Sequence, residues 1–297
     1  MILVTGASGF IGSRLTEALV REYGKDQVLA LSSKELKACP CLLHQNYSFD
    51  KNYFISSGYE AIKIIVHAGA YIPKSAAGAN DWAACNRNII TTDALLSAHF
   101  PKLERIIYLS TVDVYANAEL ITEETATSPG SLYGHSKLYC EKMILSWAAE
   151  NRKTAQLLRI GHVYGPGEEA FQKIIPATMK KLIRDQPLQL WGSGSEIRSF
   201  IYIDDVISAI QKAVNLKDNP GPINIVGGNK ITILQLIREL IQLKGSEKVD
   251  VEKIETNTPA RNLIFNNERM KKWLLSTETD LGEGLRKEWE HMQEIDL

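Results

Sequence analysis

The sequence lacks a surplus of either charge. Its 297 residues carry 34 Lys+Arg against 35 Asp+Glu, a formal net of -1. That balance argues against a nucleic-acid binder relying on a broad basic surface. It also gives no reason to expect an anionic membrane as a partner. No run approaches the roughly 18–20 uninterrupted apolar residues of a membrane helix. Cysteine is scarce, at Cys39, Cys41, Cys85 and Cys140. Cys39-Pro40-Cys41 has no second close Cys/His pair beside it, so no metal site is expected. Four reduced thiols in a cytoplasmic protein are the simpler reading. The N-terminal MILVTGASGFIG is apolar, but its first basic residue, Arg14, comes after the apolar stretch. It reads as a buried strand and a turn, not as a secretion signal. Repeats and low-complexity linkers are absent as well.

What is present is an ordinary globular composition, 44% apolar and 23% charged, enough to bury a substantial core. The first half alternates short apolar runs with amphipathic stretches. Ile2–Thr5, Val28–Leu31, Ile62–His67, Arg105–Leu109 and Leu157–Ile160 read as strands. Helical spacing separates them, as over Gly12–Tyr23 and Ile89–Ala98. This alternation predicts an α/β fold, a doubly wound parallel sheet covered on both faces. The pattern changes after Gly165-Pro166-Gly167. Helices are predicted over Phe171–Arg184 and Ile231–Leu243 and from about Glu283. Residues 1–166 are therefore expected to form a dinucleotide-type domain, with 196–226 returning to its sheet. Within that return, Ser199–Ile203 and Ile223–Val226 are the strands. Residues 167–195 and 227–297 are left for a smaller substrate lobe.

The strongest local feature is Gly6-Ala7-Ser8-Gly9-Phe10-Ile11-Gly12. It leaves one buried strand and enters a helix. Glycines suit a sharp turn whose backbone must approach a pyrophosphate, and the helix N-terminus offers free N–H groups. Gly6, Gly9, Phe10, Ile11 and Gly12 are thus candidate cofactor contacts. The alternative is a tight strand–helix turn with no ligand. A carboxylate about 20 residues further on normally holds the ribose hydroxyl of NAD. Here the second strand ends in Leu31-Ser32-Ser33-Lys34. Hydroxyls and a cation suit a 2′-phosphate, so Ser32, Ser33 and Lys34 predict NADP in preference to NAD. A solvated loop, with Glu35 serving NAD, is the competing reading.

Tyr133 and Lys137 stand four apart, on one face of a helix. A nearby ammonium stabilises phenolate and is expected to lower the tyrosine from its usual ~10. Such a tyrosine can exchange a proton with an alcohol or carbonyl oxygen. Thr111 ends the strand RIIYLST, where doubly wound folds place ligands. Its hydroxyl can serve the same oxygen, or simply cap the next turn.

The glycine turn, His67-Ala68-Gly69-Ala70, Thr111, the Tyr133/Lys137 pair and Arg159…Val163-Tyr164-Gly165-Pro166-Gly167 resemble the extended short-chain dehydrogenase/reductase family. More narrowly, they are similar to its nucleotide-sugar epimerase/dehydratase branch. Trp191-Gly192-Ser193-Gly194 and Arg198-Ser199-Phe200-Ile201-Tyr202-Ile203-Asp204-Asp205 match that branch's late motif, and Asn224 also fits. The resemblance implies catalysis by Thr111, Tyr133 and Lys137, the last also holding a ribose. It implies that Asp50 contacts adenine and that Ala68, Gly69 and Ala70 line the cofactor channel. Asn88 would be structural. Arg198 would hold a substrate diphosphate, a task suited to a guanidinium. Asp204 and Asp205 would cap a helix starting near Val206. A homodimer is expected through helices near Ile89–Ala98 and Tyr133–Ala149.

Departures from the family pattern bear on the reaction. Related 4,6-dehydratases carry an Asp-Glu pair after the threonine; here Val112 and Asp113 stand there, so dehydration is not expected. The family often has asparagine where this chain has His162, which is either a substrate ligand or a packed residue. Val112, with Thr111, faces the expected substrate. Tyr71–Asp81 reads as a mobile substrate-side loop. The expected activity is NADPH-dependent reduction of a 4-keto nucleotide sugar. The alternatives are 4-epimerisation with retained NAD and, more distantly, a non-catalytic dinucleotide sensor.

Overall fold

The computed structural model describes residues 1–44, 46–75, 77–245, 249–256 and 261–295. The chain forms two compact units. The first comprises Met1–Ala116, Thr125–Ile160 and Ile207–Asn224; the second comprises Asn117–Glu124, Gly161–Val206 and Ile225–Leu297. The predicted doubly wound sheet is present in the first unit. Its strands are β1 (Ile2–Thr5), β2 (Val28–Ser32), β3 (Cys41–Leu43), β4 (Ile64–His67), β5 (Arg105–Thr111) and β6 (Thr154–Ile160). These pair in parallel, in the spatial order 6-5-4-1-2-3. The apolar runs are buried along β1, β2, β5 and β6, as a sheet covered on both faces requires.

Between the strands lie α1 (Phe10–Tyr23), the single turn α2 (Tyr53–Ser56), α3 (Trp82–Ser97) and α4 (Leu132–Glu150). α3 starts well before its apolar stripe because the Asp81 carboxylate accepts the Ala84 N–H at 2.9 Å. The strand order reverses between β1 and β4. Ligands of such sheets bind there, outside the carboxyl ends of the strands.

The second unit is built from short pairs. β7 (His162–Tyr164) pairs in parallel with β10 (Phe200–Tyr202), β8 (Leu188–Trp191) with β13 (Val251–Ile254), and β9 (Ile197–Arg198) antiparallel with β12 (Ile231–Thr232). Ser199–Ile203 therefore does not return to the main sheet: its register is taken by His162–Tyr164. Of the two predicted returning strands, β11 (Ile223–Ile225) alone joins the sheet, beside β6. The helices are α5 (Ile174–Ile183), α7 (Ile233–Lys244), α8 (Glu268–Trp273) and α9 (Leu281–Ile295), while α6 (Ile203–Asn215) starts in this unit and has most of its length in the first. α6 starts at Ile203, so Asp204 and Asp205 lie inside its first turn instead of capping it. Asp205 has another task, accepting the N–H and hydroxyl of Thr279 at 2.8 and 3.0 Å. β8, β13 and α8 had no pattern strong enough to predict from sequence.

Candidate active site

The glycine turn fits a dinucleotide. Gly6 has φ +64°, a left-handed conformation that other residues adopt at a cost. A Cβ on Gly12 would collide with the Gly6 carbonyl oxygen, so the turn closes only without side chains. The Gly9 N–H donates to that oxygen at 2.9 Å. α1 then starts with Gly9 as N-cap, no side-chain cap and no acid in its first turn. Its positive end is left to serve an anion. At the end of β2, Ser32 is buried and its Oγ accepts the Lys34 N–H at 3.1 Å, while Ser33 and Lys34 are exposed. The Ser32 oxygen thus shapes the turn, leaving Ser33 and Lys34 open to a ligand.

Thr111 and Tyr133 are brought together. Thr111 ends β5, and its hydroxyl accepts the Asp113 N–H at 3.2 Å, capping the next turn. It also hydrogen-bonds the Tyr133 phenol. The helix can approach this closely because residue 134 is glycine: a Cβ there would lie 2.6 Å from the Asp113 carbonyl. Ser131 caps α4, accepting the Gly134 N–H at 3.1 Å. Ser136 donates to the Tyr133 carbonyl at 2.8 Å and accepts from Asn88 at 3.1 Å. Asn88 also clamps the Tyr71 backbone, accepting its N–H at 2.7 Å. Asn88 is structural, as expected.

Tyr71–Asp81 is held at several points. The Tyr71 hydroxyl donates to the Gly78 carbonyl, and Asn80 accepts the Leu132 N–H. Ala76, within the stretch expected to be mobile, lies outside the described residues.

The electrostatics correct one expectation. Lys137 does not lower Tyr133. Its ammonium donates to the Leu109 carbonyl at 2.6 Å and lies 4.2 Å from the centre of the Tyr108 ring. Burial, aided by the Asp113 carboxylate, raises the Tyr133 phenol well above its ordinary value; the Thr111 hydrogen bond opposes this without winning. Tyr133 is therefore a protonated, buried donor. Burial lowers Lys137 itself to about 8.

Behind these residues runs a chain of buried groups that sequence reading missed. Glu141 on α4 accepts from Arg159 at 3.0 and 2.7 Å. Arg159 donates to the Tyr115 hydroxyl at 2.8 Å, which donates to Asn224 at 2.7 Å. Nearer the crevice, Thr5 lies 2.7 Å from Nδ1 of His67, whose Nε2 lies 3.1 Å from Thr92. The Thr92 hydroxyl proton goes to the Asn88 carbonyl, so Nε2 of His67 is assigned as the protonated nitrogen. Burial lowers this imidazole to about 3, holding it neutral.

Gly69 follows β4 and meets Gly6 at the reversal of strand order; its N–H donates to Thr5 at 3.0 Å. Asp50 is exposed, and its carboxylate accepts the Asn52 N–H at 2.7 Å. Tyr47, instead, reaches Gly69. A Cβ at Gly69 would collide with its hydroxyl. Ala68 and Ala70 are half-buried, and Val112 is buried.

In the second unit, a cavity of about 460 Å³ is lined by Lys173, Lys181, Arg198, Gln189, Trp191 and Ile233 among others. Arg198 donates to the Ile197 and Arg261 carbonyls at 3.0 and 2.5 Å, which fixes its guanidinium. His162 packs against Phe200 and Phe265, with ring centres 6.0 and 6.5 Å away. Its Nδ1 is buried without a hydrogen-bond partner. Burial, with Arg198 and Lys173 adding, lowers it to about 4. No cluster of three or more metal-ligating side chains occurs among the described residues, and no helix there is long and apolar enough to cross a membrane.

A family model described as the NAD dependent epimerase/dehydratase family matches residues 2–226. Human dTDP-D-glucose 4,6-dehydratase is 29% identical over 260 residues, covering 82% of this chain and 73% of that protein. A Bacillus subtilis (strain 168) protein described as an uncharacterized UDP-glucose epimerase is 29% identical over 265 residues, covering 82% of each. The crystal structure of UDP-glucuronic acid 4-epimerase from Bacillus cereus in complex with NAD superposes with a TM-score of 0.84. At 24% identity over 99% of both chains, that is a likeness of fold.

Proposed function

The chain belongs to the NAD dependent epimerase/dehydratase family, and we propose that within it this protein reduces a keto group on a nucleotide sugar, with NADPH as the preferred cofactor. One observation carries this reading: Tyr133 is held protonated, against the Thr111 hydroxyl, at the carboxyl end of β5. A protonated phenol donates to a carbonyl oxygen that becomes an alcohol. Thr111 fixes that oxygen, and Lys137, anchored on Leu109, supplies positive charge and a donor for a ribose. The nicotinamide cofactor supplies the hydride when bound. Gly6, Gly9, Phe10, Ile11 and Gly12 take its pyrophosphate; Ala68, Gly69 and Ala70 line its path; Ser33 and Lys34 take the 2′-phosphate, on the turn that Ser32 sets. Arg198 and Lys173 in the second unit suit the diphosphate of the substrate, and Trp191 offers a flat apolar face for a base. His162, buried beside Phe200 and Phe265, is the further candidate for a substrate contact. This assigns 167–195 and 227–297 to substrate recognition.

The second reading is 4-epimerisation with retained NAD. The likeness to the Bacillus subtilis protein described as a UDP-glucose epimerase favours it. Dehydration is disfavoured because Val112 stands where the first carboxylate is needed. A homodimer through α3 and α4 is supported by exposed Trp82, Ile90, Tyr139 and Leu145 on those helices; light scattering tests it.

The deciding experiment is to denature the purified protein and assay the released nucleotide. A protein released without nucleotide, which then binds NADPH more tightly than NADH, supports the reductase. Near-stoichiometric NAD overturns it in favour of the epimerase.

A further inference from the structure

Two buried carboxyls of the second unit act on one another. Glu168, on the turn Glu168–Ala170, and Glu288, on α9, are each 1% exposed. α9 comes close to β7 because residue 284 is glycine: a Cβ there would strike the Tyr164 hydroxyl. Glu288, four residues on, shares that face of the helix. Burying a carboxyl costs free energy unless a cation or a proton answers its charge. The cation acting on both acids is Lys173, the N-cap of α5. Its ammonium donates to the Glu168 carboxylate at 3.0 Å and to the Val163 carbonyl at 2.9 Å.

Lys173 also lines the cavity with Arg198, and its side chain is 41% exposed. One ammonium is therefore shared between a buried acid and the cavity. The other titratable groups facing the two acids are Glu169 of the same turn and Tyr164 of β7. Tyr202, Asp205 and Asp280 act in turn on Tyr164, and His291 lies 3.8 Å from Glu169. An anion that draws the Lys173 ammonium towards itself leaves Glu168 among these acids without its cation. Glu168 is poised for the consequence: burial already raises it to about 7, and Lys173 is the group that opposes a further rise.

We propose that Glu168 is a positioning residue for the substrate: it holds the Lys173 ammonium at the cavity wall until a diphosphate takes that ammonium, and it then accepts a proton from solvent in exchange. This rests on reading the cavity as the diphosphate site of a nucleotide sugar. The ammonium keeps its protons throughout; one hydrogen bond to Glu168 is given up and one to a phosphate oxygen is made. The incoming proton neutralises a carboxylate that would otherwise stay buried without its cation. Binding is thereby linked to proton uptake, and affinity falls as pH rises through the interval in which the acids release their protons.

The test is calorimetric titration with UDP-glucose and with dTDP-glucose, each in buffers of different ionisation enthalpy. The diester diphosphate of these probes does not itself titrate near neutrality. Between about pH 7 and pH 9, the values of the two raised acids, wild type should take up about half to one proton per ligand bound. Affinity should fall there about three- to ten-fold per pH unit. Below about pH 5.5 both acids already hold protons, and the uptake should vanish. Glu168→Gln keeps an oxygen for the ammonium but cannot take a proton, so its affinity should be flat in pH and its binding free of uptake. Lys173→Met should bind more weakly, also without uptake, and it serves if Glu168→Gln does not fold. Wild type that binds without uptake overturns the proposal, as does Glu168→Gln that takes up protons as wild type does. Weaker binding in Glu168→Gln at every pH, with the slope unchanged, also overturns it and reassigns the acid to structure. Wild type that binds neither probe overturns the reading of the cavity, a result distinct from these.

Discussion

Glu141 in the first unit is 2% exposed and Glu288 in the second is 1% exposed, yet the two are satisfied in opposite ways. Both oxygens of Glu141 accept from Arg159, and that guanidinium continues to Tyr115. Both oxygens of Glu288 are buried without a guanidinium, and the Gly165 N–H is the donor beside them. Burial, with Glu168 adding, raises Glu288 to about 9; Lys173 and the Gly165 amide oppose this but do not win. Glu168 is raised to about 7 by the same burial, although Lys173 donates to it at 3.0 Å. In the first unit, then, charge is buried with its partner, each group satisfied by the next along the chain. In the second unit a carboxyl is buried as the neutral acid, and the nearby Lys173 also lines the cavity. The difference teaches that a buried carboxyl has two solutions, a guanidinium in fixed geometry that keeps it charged or a proton that makes it neutral.

The sharpest break of this comparison is at Tyr133. Tyr133→Phe removes a proton donor that nothing around it replaces. Turnover should fall by about 10²–10⁴, with cofactor affinity unchanged by titration; unaltered turnover would remove Tyr133 from the mechanism. The next effect is on stability. Glu141→Leu strands Arg159 in the core and should cost about 3–5 kcal/mol in denaturant unfolding. Glu288→Gln, which replaces a neutral acid with a neutral amide, should cost little at neutral pH. Equal losses in the two variants would erase the contrast.

The pH dependence follows in size. The folded value of Glu288 is raised to about 9 from an ordinary 4.5. The folded state therefore holds a proton that the unfolded state releases. Stability from this group is fully present below about pH 4.5 and declines as pH rises towards 9, by at most about 1.4 kcal/mol per pH unit. Unfolding series between pH 5 and 9 should show this slope in wild type and a flatter one in Glu288→Gln. The smallest effect is at the cavity. Arg198→Gln should raise the substrate KM about ten-fold with kcat nearly intact, as for an interaction made equally before and during reaction. A fall in kcat instead would place Arg198 among the groups acting on the reacting atoms.

How much of this was legible depends on distance along the chain. The glycine turn, the buried parallel strands and the Tyr133/Lys137 spacing each lie within a few residues, and period and turn chemistry express them directly. Thr111 was legible as the end of an apolar run. Lys137 shows the limit: the i, i+4 spacing put it on the face of Tyr133, but the Leu109 carbonyl and the Tyr108 ring decided where its ammonium points. Tyr47 shows another: nothing along the chain marked it as buried, because its environment is made by Thr5, Gly6 and Gly69.

The amino-acid sequence by itself determined the local elements, their alternation and hence the doubly wound class, since side-chain period and glycine placement act between near neighbours. Only the tertiary structure decided which strands meet. It paired Ser199–Ile203 with His162–Tyr164 instead of the main sheet, joined Glu141 to Arg159, Tyr115 and Asn224, and brought Tyr47 to Gly69. Those outcomes depend on register and burial between segments tens of residues apart. There, hydrogen bonds must be satisfied among whatever groups the fold makes neighbours.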